Sequence, residues 1–190
     1  MPRSGRTGTR ISPILGEVAE SRRDELRYPF SSVFNAIDAM SYSTRFARHR
    51  ITAPGGAMIA FALQNNYALT SLNFSGQRLW DAGTMAVASS LRNNKTLKYL
   101  NLAGNDVTAQ GGLALAACLQ ENECLEHLNL SQNKFKDDVG MKLADALMKN
   151  DVLETLDLYE NDLSIVSVRE LREAAKGNPS LRVVSVYGNR

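Results

Sequence analysis

At 190 residues, 44% hydrophobic and 22% charged, the chain has the composition of a single ordinary globular domain. A net charge of +2 demands no polyanionic partner, and the longest apolar runs are far too short to span a membrane. Two cysteines, Cys118 and Cys124, make no disulfide framework and read as thiols kept in a reducing compartment.

The first eleven residues carry Arg3, Arg6 and Arg10, two glycines and no acid, and are expected to form a flexible basic arm. The same composition also fits a mitochondrial presequence. Ser12 and Pro13 read as an N-cap and first-turn proline ahead of an expected helix with Ile14, Leu15, Val18 and Leu26 on one side. After Pro29 a second amphipathic segment brings Val33, Phe34, Ile37 and Met40. Residues 1–40 are therefore read as arm plus helical cap, with Phe30, Phe34, Ile37 and Met40 packing on the raw end of the repeats that follow. Residues 1–50 hold nine arginines against five acids. That excess fits an arm lying on an acidic protein surface better than specific nucleic-acid binding.

From Leu69 to Arg190 one pattern returns every 28 residues, with starts at Leu69, Leu97, Leu125, Leu153 and Leu181 and no insertion or deletion. The fourth residue is apolar in every copy (Leu72, Leu100, Leu128, Leu156, Val184), and so is the sixth (Phe74, Leu102, Leu130, Leu158, Val186). The ninth is an amide: Gln77, Asn105, Asn133, Asn161, Asn189. Fixed-period self-similarity is the signature of a solenoid. Alternation at the fourth and sixth positions predicts a short strand with those residues inward. The amides are expected to form a buried ladder that satisfies backbone groups where the chain leaves the strand, with a looser rung at Gln77. Ala-, Leu- and charge-rich segments such as 114–122, 141–150 and 168–178 predict a helix in each second half. Gly83, Gly111 and Gly140 are expected to stand just before the helices, and Ser167 replaces glycine in the fourth repeat, so a different loop is expected there. Trp80 reads as packing at the edge of the core. Asn94, Asn122, Asn150 and Asn178 close the helices, a place where asparagine's tolerance of the left-handed conformation is useful. Counting back 28 residues gives a degenerate repeat, 41–68, with Thr44 and His49 where leucine and asparagine stand elsewhere. Clear repeats then run 69–96, 97–124, 125–152 and 153–180, followed by a partial repeat 181–190. At that partial repeat Val184 and Val186 are expected to lie at an open end, covered by a partner or by further chain.

The string L-x-x-L-x-L-x-x-N-x-L resembles the leucine-rich repeat, and its 28-residue length with an Ala/Leu-rich second half is similar to the ribonuclease-inhibitor type. The resemblance implies an α/β solenoid, a horseshoe arc with a parallel concave sheet and helices on the convex side. It also implies a protein-binding role rather than catalysis. Family members include receptors, inhibitors, GTPase activators and structural subunits of ciliary and organellar complexes.

Three columns of the concave face follow from the phase: Ser71, Tyr99, His127, Thr155, Val183; then Asn73, Asn101, Asn129, Asp157, Ser185; then Ser75, Ala103, Ser131, Tyr159, Tyr187. Exposed parallel sheet is unusual without a partner. The candidate binding residues are Asn73, Tyr99, Asn101, His127, Asn129, Asp157, Tyr159, Glu160 and Tyr187, with Arg3, Arg6 and Arg10 of the arm. Phosphate loops, zinc motifs and nucleophile elbows are missing from the string, and a Cys124–His127 pair has no marked orienting group. The chain is thus read as non-enzymatic, without cofactor or metal. It is expected to be a structural or adaptor subunit of a larger assembly in the cytoplasm, at the cytoskeleton or cilium, with a mitochondrial setting as the alternative. The alternative is a small-GTPase regulator resembling the Ran GTPase-activating proteins, which are longer and end in an acidic tail.

Overall fold

The computed structural model describes residues 43–45, 53–64 and 66–190. Arg3, Arg6 and Arg10, the cap assigned to residues 1–40, and His49 lie outside them. Six strands, β1 (Ser43–Arg45), β2 (Ser71–Asn73), β3 (Tyr99–Asn101), β4 (His127–Asn129), β5 (Thr155–Asp157) and β6 (Val183–Ser185), form one parallel sheet in chain order. Between them run α1 (Ala53–Gln64), α2 (Trp80–Leu91), α3 (Ala109–Leu119), α4 (Asp137–Leu147) and α5 (Ile165–Gly177). Every strand pair keeps the 28-residue register, so Thr44, Leu72, Leu100, Leu128, Leu156 and Val184 stand in one row across the sheet. The expected leucine-rich-repeat solenoid, with parallel strands on one side and helices on the other, is the fold of the chain.

The core lies between these two layers. Leu72, Leu100, Leu102, Leu130 and Leu158 are wholly buried from the strand side, and Val87, Leu115, Leu143 and Leu171 from the helix side. Each apolar side chain taken fully out of water contributes about 1.5–3 kcal/mol, so a column repeated four or five times supplies most of the driving force. Gly83, Gly111 and Gly140 lie inside α2, α3 and α4 rather than ahead of them, and their use is close packing, since helices approach closely where glycine removes a side chain. A Cβ on Gly112 would stand 2.6 Å from Val139 Cγ1 and 2.9 Å from Phe135 Cε1. At Ser167 the difference from the other repeats is a buried hydroxyl, which donates to Asp137 Oδ1 at 2.6 Å and to the Ser164 carbonyl at 3.2 Å. Leu79 takes the buried place at the start of α2 and leaves Trp80 44% exposed, further out than a core-edge position implies. At the last repeat Val186 is buried and Val184 half-buried, while Val183 is exposed, so the apolar surface there is Val183 rather than the two expected valines.

Two asparagine ladders thread the molecule. In the first, Asn133 Oδ1 accepts from the backbone N–H groups of Asn105 and Val107 in the previous repeat, at 3.1 and 3.0 Å. Its Nδ2 donates to the carbonyls of Leu102, Leu130 and Ser131. Asn105 repeats the arrangement, Asn161 and Asn189 each accept one N–H, from Phe135 and Leu163, and Leu102, Leu130 and Leu158 each offer one carbonyl to two successive asparagines. At the Gln77 rung the side-chain amide reaches the Ser75 carbonyl. The second ladder corrects the reading of the helix-closing asparagines. None of Asn94, Asn122, Asn150 and Asn178 has a positive φ. Instead Asn122 Nδ2 donates to the Leu91 and Asn94 carbonyls of the previous repeat, and its Oδ1 accepts from the N–H groups of Cys124 and Leu125. Asn150 and Asn178 do the same one and two repeats later. Backbone groups left over at the helix ends are thereby paired across repeats, as buried amides require.

Helix starts show a longer rhythm. Asp81 Oδ1 accepts from the N–H of Thr108 (2.8 Å) and of Gly111 (3.0 Å), and Oδ2 from the Thr108 hydroxyl. A carboxylate from one repeat thus caps α3 of the next, a task usually done by the residue at the N-cap itself. Asp137 holds the start of α5 less directly, through the Ser164 N–H and the Ser167 hydroxyl, while Ser164 at the N-cap itself accepts from the Val166 N–H. Ala53, Ala109 and Ile165 occupy the same phase between and around them, so only alternate repeats carry this cap. A second alternation runs along Arg78, Asp106, Lys134, Asp162 and Arg190, where Lys134 pairs with Asp106 (2.7 Å) and Arg190 with Asp162 (3.1 Å). Asp81→Ala is expected to cost about 1 kcal/mol, the usual loss for a helix cap. Thermal melts compared with Asp81→Asn, which keeps an acceptor, would check it; equal loss in both would mean that the negative charge, not the hydrogen bonds, carries the effect.

Candidate functional site

Strands three residues long turn their middle leucine inward and their flanking residues to the open face, where Ser71, Asn73, Tyr99, Asn101, His127, Asn129, Thr155 and Asp157 are all half-buried. The Asn/Asp column is not a row of free amides. Asn73, Asn101, Asn129 and Asp157 each use Oδ1 to accept the N–H of the residue two positions on, at 2.9–3.0 Å. These side chains steady the exit of each strand, and the asparagines turn only their nitrogen donors to a partner.

Aromatic residues gather in two pairs on this face. Tyr99 and His127 lie with ring centroids 6.3 Å apart and tilted by 51°, and His127 Nδ1 meets Thr155 Oγ1 at 3.0 Å. Cys124 points elsewhere: its thiol reaches the carbonyls of Asn94 (3.2 Å) and Leu97 (3.4 Å), and burial pushes its pKa up. Cys124 and His127 therefore do not form a nucleophile–base pair. Cys118 is buried and its thiol is pushed up to about 12 by burial, far from the thiolate that reactivity needs.

The second pair is Tyr159 and Tyr187, stacked at 6.0 Å with planes 9° apart. Beside them the Glu160 carboxylate accepts from the Tyr159 hydroxyl (2.6 Å) and from the Gln132 amide (2.8 Å). These bonds, the tyrosine's first, hold the Glu160 carboxyl below the usual carboxylate range and raise the Tyr159 hydroxyl above its own. Glu160 has φ 51° and Gln132 φ 55°, in a column otherwise filled by Gly76, Gly104 and Gly188, all with positive φ. Gly188 makes room for the group, since a Cβ there would stand 3.0 Å from Glu160 Cγ and 3.2 Å from Tyr159 Cε2. Gln132 escaped the sequence reading. Its signal was the eighth position of the repeat, where a polar side chain replaces glycine in two adjacent copies.

Residues 93–116 and 121–144 match the family model described as leucine-rich repeat. The chain carries leucine-rich repeats. Similar solved structures include actin-binding site 2 of leiomodin-1, with a TM-score of 0.63 and 19% identity over 69% of this chain and 76% of that one. Another is the C-terminal domain of tropomodulin from Caenorhabditis elegans, with a TM-score of 0.62 and 14% identity over 70% of this chain and 81% of that one. At such identities the likeness is one of fold. No curated protein matches the chain. No helix among the described residues is long and apolar enough to cross a membrane.

Proposed function

We propose that the chain is a non-enzymatic protein–protein interaction module, a structural or adaptor subunit that binds through its concave strand face and its basic arm. The observation that carries this reading is the open face itself: six parallel strands with two aromatic pairs set on them. Parallel sheet is ordinarily covered on both sides, and tyrosines bury much area at little entropic cost. A 28-residue period with a full helix in each repeat supports the ribonuclease-inhibitor type, whose concave face is available to ligands. A domain of similar fold is actin-binding site 2 of leiomodin-1. Actin is therefore the first defined partner to test, and a cytoplasmic or cytoskeletal setting fits.

Affinity capture from native extract, with actin cosedimentation beside it, would compare wild type, Tyr99→Ala/His127→Ala, Tyr159→Ala/Tyr187→Ala and a chain lacking residues 1–11. Loss of a reproducible partner set by either aromatic variant, with the fold intact by circular dichroism, is the expected result. Capture unchanged in all variants would move binding off this face. A captured small GTPase whose hydrolysis accelerates would replace the adaptor reading with the regulatory one.

A further inference from the structure

We propose that the Tyr159–Tyr187 stack and the Glu160 carboxylate together receive an arginine side chain presented by a protein partner. This rests on the interaction-module reading and adds the chemistry of one contact.

The two rings are nearly parallel, and Tyr187 is 80% exposed, so a flat apolar surface stands open to solvent. A guanidinium is planar, weakly hydrated and stacks on aromatic faces, whereas an ammonium has no plane to offer. Beside that surface Glu160 is fixed by two neutral donors, one on each oxygen. A carboxylate has about four lone-pair positions, so each oxygen keeps capacity for a further N–H. Charge complementarity selects the occupant. Several carboxylates of the repeats meet cations, Asp106 with Lys134, Glu123 with Lys95, Glu126 with Lys98, Glu154 with Arg182 and Asp162 with Arg190, while Asp81 and Asp137 are used up on the starts of the neighbouring helices. Among the described residues neither Glu160 nor its repeat-mate Asp157 has such a partner. Glu160 also holds a left-handed backbone that glycine adopts freely, and its equivalents at 76, 104 and 188 are glycine. The same left-handed backbone at Gln132, the residue that orients the carboxylate, means that both members of this hydrogen bond stand where glycine is the easier choice, which fits a binding role.

The test is an amide-resolved NMR titration of the full chain with acetyl-Gly-Arg-Gly-amide, against its lysine and citrulline counterparts and methyl glucoside. Saturable shifts at Tyr159, Glu160 and Gly188 are expected for the arginine peptide, with affinity for the neutral citrulline peptide lower by roughly tenfold. Glu160→Gly should fold at least as stably as wild type, because it removes the left-handed strain, and still lose roughly tenfold in arginine affinity. Tyr187→Ala, at an exposed position, should weaken binding without altering the fold. Equal binding of citrulline, absence of saturable shifts at these residues, or a response to the glucoside alone would overturn the proposal. A partner captured by wild type and equally by Glu160→Gly would also overturn it, while leaving the module reading in place.

Discussion

Asn133→Ala is expected to lower the unfolding free energy by about 2–6 kcal/mol, from two stranded buried N–H groups at roughly 1–3 kcal/mol each. The donors at risk belong to Asn105 and Val107, both 0% exposed and both held by Asn133 Oδ1. The carbonyls of Leu102 and Leu130 suffer less, because each also receives Nδ2 of a neighbouring asparagine, Asn105 or Asn161. Loss is therefore concentrated on the acceptor side of the amide. Asn129→Ala is the matched control. It removes the same atoms from the half-buried open face, where Oδ1 accepts from the N–H and hydroxyl of Ser131 and water can substitute. A cost of about 0.5–1.5 kcal/mol is expected for it. Denaturant midpoints with an unchanged m-value would compare the two; equal costs would mean that water enters the ladder when the amide is removed.

Phe135→Ala is expected to cost about 3–5 kcal/mol, the range for deleting a buried aromatic ring. Phe135 is 0% exposed and lies against the start of α3, where Gly112 leaves space for its ring. Glycine at 112 has no side chain to swing into the void, so the hole is poorly filled. A larger residue at Gly112 should recover part of the loss in the Phe135→Ala background, although Val139 Cγ1 and Cγ2 limit the space. Because repeats touch chiefly their neighbours, damage at this central position divides the array, whereas the same change near an end would only fray it. Thermal and denaturant unfolding that stays cooperative, with a lower midpoint, would argue against such division.

The strands, helices and their register were legible because each repeat restates the same constraint, and five strand pairs keep the 28-residue offset that the starting leucines set. The open face was legible for the same reason, since alternation on either side of Leu72, Leu100, Leu128 and Leu156 leaves little choice. What side chains do with their second functional atom was not. Asparagine at a helix end has two physical uses, left-handed backbone and amide hydrogen bonding. Period alone does not choose between them; the partners of Asn150 stand 28 and 31 residues away. The same distance hid the cap on α3, whose acceptor Asp81 sits a whole repeat earlier, and the bonds by which Asp137 steadies the start of α5. Glu160 was legible as an exposed acid, but its orientation came from Gln132, a residue one repeat back whose phase had not been read as a column.

The alternating caps and charges have a bearing on how such a chain can change length. Loss of residues 97–124 would bring Arg78 beside Lys134 and would remove the helix that Asp81 serves. Loss of a 56-residue pair would return opposite signs to neighbouring rungs and an aspartate to every second helix. Duplication and deletion are therefore least disruptive in steps of two repeats, which keep both alternations in phase.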